Sequence, residues 1–272
     1  MPPTAGQLAL LVVAILLFAA GGALSLARLW WDRRGLRVAS RCCLGLGIVA
    51  SIGVIVWHAA QQQRWVPIGD NFDALLWLAT LLAMFVLYLQ RHRTLGALDW
   101  FVMPLVVLML IFAAIFGRTE YHEYHPAVAN TWLWVHRVTA YGGAVAFAIA
   151  AATGAMYVYA ARRLRNKQSI GPQFGSLERL EHLTFTSVTL GFALLTIGMI
   201  IGSVQMAADQ NSRTPLAKIV LAVVVWLVYA VVLHAPINPS FRGRKVAVLS
   251  IVGFVLMLGT LLTVLLMPGG TS

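Results

Sequence analysis

The sequence has little charge for its length. Only 11% of its 272 residues are Asp, Glu, Lys or Arg, whereas 60% are hydrophobic. Soluble domains carry charge on about a quarter of their residues. Disordered chains contain fewer apolar residues than soluble domains do. The composition therefore excludes an ordinary soluble enzyme and a disordered segment.

Cysteine is nearly absent. The only two, Cys42 and Cys43, are adjacent. Neighbours in a helix point about 100° apart, so this pair suits neither a disulfide bond nor a shared metal site. The chain also lacks a C-x-x-C-H motif, a P-loop, a G-x-G-x-x-G fingerprint and a Ser-centred nucleophile elbow. These absences exclude a secreted disulfide scaffold and covalently bound c-type haem.

Acidic residues are scarce as well. All nine Asp and Glu fall in loops or within about one turn of the end of an apolar run. Ion-coupled transporters usually keep a carboxylate at mid-membrane depth, because it couples cation binding to movement. The sequence therefore disfavours a secondary transporter.

What the chain has instead is long apolar runs. A helix needs about 20 such residues to cross about 30 Å of hydrocarbon, and continuous rather than alternating hydrophobicity excludes a β-barrel. We predict an all-α integral membrane protein, one domain over residues 1–272 folded as an eight-transmembrane-helix bundle. The predicted spans are 8–26, 42–58, 72–89, 100–116, 131–159, 184–203, 219–234 and 246–267.

Basic residues predict the orientation of these spans. Most of the twenty Lys and Arg follow odd-numbered spans, and basic loops stay on the cytoplasmic side during insertion. Residues 1–7 lack the basic residue of a signal peptide, so the first span is predicted to be retained. Both termini are then expected outside the cytoplasm. The opposite side holds only Arg64, Arg118, Arg137, Arg213 and Lys218. No basic face is contiguous, so no nucleic-acid partner is expected.

Histidines carry the chemistry that remains. His58 ends the second span and His136 opens the fifth, both on the predicted outer side, whereas His234 ends the seventh on the inner side. Imidazole is the usual axial ligand of b-type haem, and Arg137 is a suitable partner for a haem propionate. Residue types alone leave a second interpretation open, in which these histidines are amphipathic residues of the membrane interface.

Tryptophans accompany both outer histidines. Trp57 and Trp65 flank His58, while Trp132 and Trp134 precede His136. Such residues form interfacial belts by default, and the alternative is that Trp132 or Trp134 packs against a porphyrin.

Several segments, in the correct order over about residues 55–265, resemble the cytochrome c assembly family that contains CcsA and its shorter HemX-like and YpjD-like relatives. The segment W-L-W-V-H-R-V-T-A-Y-G at 132–142 is similar to the family's external histidine motif. N-F-D at 71–73 resembles the start of one of its spans. The remaining similar segments are S-L-E-R-L-E-H-L-T-F at 176–185, G-F-A-L-L-T-I-G at 191–198, W-L-V-Y-A-V-V-L-H at 226–234 and F-R-G-R-K-V-A-V-L-S-I-V-G-F at 241–254.

The resemblance implies a haem-binding bundle of about eight helices whose active surface faces outward. It implies that His136 is the outer haem ligand, that His58 matches a second-span histidine of the short branch, and that His234 matches a membrane-embedded histidine of the larger CcsA proteins. The expected cofactor is haem b. The expected partners are haem, the lipid bilayer and other cytochrome c biogenesis membrane proteins, in the bacterial inner (plasma) membrane.

Two departures from the family pattern affect the expected activity. The loop at 205–218 reads Q-M-A-A-D-Q-N-S-R-T-P-L-A-K, without the tryptophan-rich W-W-D segment of full-length synthases, and no histidine follows the eighth span. Both departures point to the short branch and to a protein that is not itself an enzyme of haem attachment. The alternative is a non-catalytic regulatory or scaffolding membrane protein of tetrapyrrole or haem metabolism.

Overall fold

The chain folds into helices alone wherever its structure, a computed structural model, is described: residues 3–28, 31, 34–61, 71–92, 97–116, 131–168, 174–208, 216–234 and 243–266. No strand occurs among these residues, which confirms the all-α prediction. The helices are α1 (Ala5–Ala27), α2 (Arg34–Gln61), α3 (Asn71–His92), α4 (Leu98–Phe116), α5 (Thr131–Arg165), α6 (Leu177–Ala208), α7 (Leu216–Leu233) and α8 (Arg244–Leu266).

Several helices are longer than the apolar runs that predicted them. α2 begins at Arg34 rather than at residue 42, α6 begins at Leu177 rather than at 184, and α5 continues to Arg165. Hydropathy detects only the part of a helix that is apolar, whereas backbone hydrogen bonds continue through a polar turn. The 35 residues of α5 span about 52 Å at about 1.5 Å per residue, well beyond about 30 Å of hydrocarbon.

In the described part of the chain, five helices are long and apolar enough to cross a membrane: α1, α2, α4 over 98–115, α5 over 134–165 and α6 over 177–204. Phe72–Tyr88 and Ile219–Leu233, in α3 and α7, are shorter apolar helices. These helices belong to a multi-pass membrane protein. The count of eight crossings and the sides of the two termini stay predictions.

Helix contacts divide the chain into two compact units, Met1–Tyr121 with α1–α4 and His122–Ser272 with α5–α8. In the first unit, α1 and α2 pack antiparallel, with the ring of Phe18 lying over Gly47. A buried polar cluster closes one end of this unit. There Asp99 Oδ2 accepts hydrogen bonds from Ser25 Oγ at 2.6 Å, Arg28 at 2.8 Å and Gln90 Nε2 at 2.7 Å.

The second unit is built on the antiparallel pair α5 and α6. The Thr153 and Thr184 hydroxyls lie 2.9 Å apart between the two helices. Farther along the pair, the ring of Phe147 packs against Gly191, where it leaves no room for a β-carbon. Phe147 also stacks on Tyr229 of α7, with ring centroids 3.7 Å apart.

The contacts among α6, α7 and α8 distinguish the two ends of the second unit. Tyr229 donates to the Ser250 carbonyl at 3.3 Å, and the Gly243 N–H at the start of α8 donates to Glu181 Oε1 at 3.0 Å. The start of α6, the end of α7 and the start of α8 therefore meet at one end. The start of α5, with His136, lies at the other.

Candidate functional site

His136 lies one turn into α5 and faces α6. Its Nδ1 is 2.8 Å from the carbonyl oxygen of Gly198, and its side chain is half-buried. One turn further along α5, the Thr139 hydroxyl donates to the His136 carbonyl at 2.9 Å. The imidazole is thus attached to a neighbouring helix rather than extended into the surroundings.

The partner of His136 determines its tautomer. A carbonyl oxygen can only accept a hydrogen bond, so Nδ1 must carry the proton. In a neutral ring the lone pair then belongs to Nε2, the nitrogen through which histidine commonly binds metals. Metal-ligating histidines usually donate their other ring N–H to a carboxylate, a backbone carbonyl or water, and His136 has the second of these arrangements.

Two glycines of α6 allow the close approach of His136. A β-carbon on Gly202 would lie 3.1 Å from His136 Cε1 and 3.4 Å from its Nδ1. A β-carbon on Gly198 would lie 3.2 Å from the Thr139 hydroxyl oxygen. The distances of 3.1 Å and 3.2 Å are shorter than ordinary van der Waals contacts, so glycine at these positions sets the spacing between the two helices.

The other predicted residues at this end are more exposed. Trp132 is 60% exposed and Trp134 is 38% exposed, whereas Arg137 is half-buried beside His136. The exposed indoles suit either an interfacial belt or a flat ligand packed over them. Both interpretations of these tryptophans stay open.

His58 has different surroundings. It lies near the end of α2 and is only 1% exposed. Its Nε2 is 3.9 Å from Asp73 Oδ1 in the first turn of α3, and its ring centroid is 5.1 Å from that of Phe72. His58 is therefore held inside the protein between a carboxylate and an aromatic ring. Trp57 beside it packs its indole against Gly6 of α1.

His234 ends α7 and is exposed. Its Nδ1 lies 2.8 Å from the carbonyl oxygen of Ala230, one turn back in the same helix. Within the second unit it lies at the opposite end from His136. The other residues that the sequence analysis places at the outer face, which are Arg64, Trp65, Arg118 and Arg213, fall outside the described residues.

The described residues contain no group of three or more His, Cys, Asp or Glu that could hold a metal ion. Zinc and non-haem iron sites need such a group, but haem iron needs only one or two axial ligands from the protein. The described histidines are donors of the kind that such axial positions take.

Comparison with known proteins identifies the family of the chain. The family model described as "Cytochrome C assembly protein" matches residues 65–270. The chain belongs to the cytochrome c assembly protein family. A protein named cytochrome c biogenesis protein CcsA from Guillardia theta is 25% identical over 230 residues, which is 76% of each chain. Another CcsA, from Prochlorococcus marinus strain NATL2A, is 40% identical over 101 residues, which is 36% of this chain and 31% of that relative.

A third CcsA, from Thermosynechococcus vestitus, is 44% identical over 80 residues, which is 28% of this chain and 24% of the relative. No solved structure matches the chain. The part of this chain that the family model matches includes His136 and His234 but begins after His58. The family match therefore covers one of the two predicted axial ligands.

Sequence reasoning missed two parts of these histidine environments. One is Asp73, which the N-F-D segment contains but which nothing in the sequence connects to His58. The other is the Gly198 carbonyl with Gly202. The sequence does contain one indication of this second part. The spacing of two small residues four apart in G-M-I-I-G at 198–202 is typical of closely packed membrane helices.

Proposed function

We propose that this protein handles haem in cytochrome c biogenesis. In this proposal it holds b-type haem non-covalently through His136, with His58 as the second axial ligand. The observation that carries the proposal is the hydrogen bond between His136 Nδ1 and the Gly198 carbonyl, because it leaves Nε2 as the lone-pair nitrogen. The CcsA relatives support the link to cytochrome c biogenesis.

The residues around His136 suit haem in two further respects. Arg137 follows His136 directly, and its guanidinium is a bidentate partner for a propionate carboxylate. Trp132 and Trp134 offer exposed indole surface within one turn of His136, against which a porphyrin can pack. Haem held by these residues would be the cargo that the biogenesis pathway delivers.

Charge supports an outward-facing position for this end. In the second unit Arg162, Arg163 and Arg165 end α5, at the end opposite to His136. In the first unit Arg28 and Arg41 lie at the end opposite to His58. Basic ends stay in the cytoplasm, so we propose that both histidine ends face outward from a bacterial inner membrane.

We further propose that haem attachment belongs to other membrane proteins of the same process. The segment at 205–218, from the end of α6 to the start of α7, has no tryptophan-rich sequence that would present haem to an apocytochrome. This protein then binds and passes haem without forming thioether bonds. Acidified solvent should consequently extract all haem from the purified protein, and haem that stays on the chain after extraction would contradict this part of the proposal.

The central test is an absorption spectrum of the detergent-purified full chain from haem-replete cells. We expect a Soret band with low-spin bis-imidazole features. His136→Ala should abolish these features, as should His58→Ala, and added imidazole should partly restore them by occupying the vacated axial position. His182→Ala, which alters an exposed histidine of α6, is the control. A colourless wild-type protein that also refuses added haem would refute the proposal.

A further inference from the structure

We infer that Gly202 is a positioning residue for His136, acting together with the Gly198 carbonyl to hold the imidazole in one tautomer and one orientation. This inference rests on the proposed function. It adds to it the part of α6 that would set how strongly His136 binds haem iron.

The first step is the separation of two roles within one ring. Nδ1 is committed to the Gly198 carbonyl at 2.8 Å. A ring that rotates away from this carbonyl loses the interaction that keeps the proton on Nδ1, and the two tautomers then become closer in free energy. The carbonyl therefore selects the state in which Nε2 can bind a metal.

The second step is steric. The hydrogen bond forms only because the ring can lie against the backbone of α6, and Gly202 provides the space. A β-carbon there would meet Cε1 at 3.1 Å and Nδ1 at 3.4 Å, so the ring would have to move by a few tenths of an ångström. A branched side chain at Gly202 would displace it further and break the bond.

The third step separates this role from ordinary helix packing. Other glycines of the α5–α6 pair face apolar groups: a β-carbon on Gly142 would lie 3.2 Å from Leu194 Cδ1, and one on Gly191 would lie 2.7 Å from Phe147 Cε1. Small residues of this kind serve close association of membrane helices. At Gly202 the nearest group is instead the histidine ring, so the chain itself supplies packing glycines as matched controls.

The experiment compares Gly202→Ala and Gly202→Val with Gly142→Ala in the purified full chain. Loss of an outer-shell interaction commonly weakens metal binding by about 10- to 100-fold. We expect Gly202→Val to weaken haem binding within that range, Gly202→Ala to weaken it less, and Gly142→Ala to leave it near the wild-type value. Gly142→Ala should be tolerated because its new contact is the flexible end of a leucine.

A second measurement tests whether the effect passes through His136. In a His136→Gly background, free imidazole fills the axial position without a tether to α5. Adding Gly202→Ala to that background should change imidazole-rescued haem binding by less than it does in the wild type. An equal loss in both backgrounds would show that Gly202 supports only helix packing and would overturn the inference.

A third measurement needs no haem. Nitrogen-15 NMR of selectively labelled histidine should show the Nδ1–H tautomer for His136 in the haem-free wild type and a mixture in Gly202→Val. The two failures are distinguishable. A wild type that never binds haem refutes the proposed function, whereas a wild type that binds through His136 with Gly202→Val unaffected refutes only the positioning role.

Discussion

The two outer-face histidines predicted from the sequence occupy unlike surroundings, one in each unit of the molecule. His136 is half-buried and bonds to a neutral backbone carbonyl of α6. His58 is buried beside the Asp73 carboxylate and the Phe72 ring. A backbone carbonyl orients an imidazole without adding a charge. A carboxylate can orient it too, but when it is ionised in a buried place it also depends on its neighbours for stability.

The difference indicates how the two residues divide their work. In the proposed function, His136 is a haem ligand whose orientation the Gly198 carbonyl fixes, and it lies within the residues that the family model matches. His58 contributes to the interior of the first unit whether or not it also binds iron. Replacing each histidine should therefore change different properties of the protein.

The largest expected difference is in stability. His58→Leu removes the imidazole that lies 3.9 Å from the buried Asp73 carboxyl group, and loss of a polar partner in a buried place costs about 1 to 3 kcal/mol. His136→Leu loses one hydrogen bond of a half-buried ring, which is worth about 1 kcal/mol. Denaturant unfolding of the haem-free protein in detergent measures both values.

The double variant His58→Leu with Asp73→Leu provides the control. Removing both polar partners leaves no buried polar group without its neighbour, so this variant should be more stable than either single variant. If His58→Leu and His136→Leu destabilise the protein equally, the contrast between the two histidines is wrong.

The next prediction concerns the tryptophans at the two ends. Trp57 is 42% exposed and packs its indole against Gly6 of α1, whereas Trp132 and Trp134, which are 60% and 38% exposed, lie within about one turn of His136. If these two indoles pack against a porphyrin, Trp132→Leu or Trp134→Leu should weaken haem binding by about tenfold in Kd and so lower haem content. This change corresponds to roughly 1.4 kcal/mol of lost aromatic contact. Trp57→Leu should leave haem content unchanged.

Haem content per inserted protein, measured in membranes and after purification, tests this prediction. A loss of haem that is confined to the Trp132 and Trp134 variants, in normally inserted protein, would assign haem contact to the indoles near His136 and not to Trp57. Unchanged haem content with impaired insertion in all three variants would assign the tryptophans to the interfacial belt instead.

The helices themselves followed from the sequence because a membrane helix requires a long apolar run. Each of the eight helices in the described residues overlaps one predicted span. The polar turns at the start of α2 and α6 were not predicted. They begin at Arg34 and Leu177, in segments that hydropathy cannot distinguish from loops. Backbone hydrogen bonds continue through such polar turns, so hydrophobicity does not determine where they begin.

The candidate site was predictable only in part. Residue type and span ends selected His136 and His58, because imidazole ligands and helix termini are visible in a sequence. Their partners were not, because Gly198 and Asp73 come from other helices whose register against α5 and α2 depends on packing. Only the G-M-I-I-G spacing at 198–202 hinted at the close approach that brings His136 to α6.

The smallest expected effect concerns His234. It ends α7, which runs alongside α8 from the His136 end of the second unit to the opposite end, a separation of about 25 Å by the helix rise. Its Nδ1 already lies 2.8 Å from the Ala230 carbonyl in its own helix, and one haem cannot reach from His136 to this position. His234→Ala should consequently leave the low-spin spectrum of the His136 site unchanged, as should the control His182→Ala. If His234→Ala removes that spectrum while His58→Ala preserves it, the axial pairing of His136 with His58 is wrong, and His234 must lie closer to the haem than the helix order of the second unit allows.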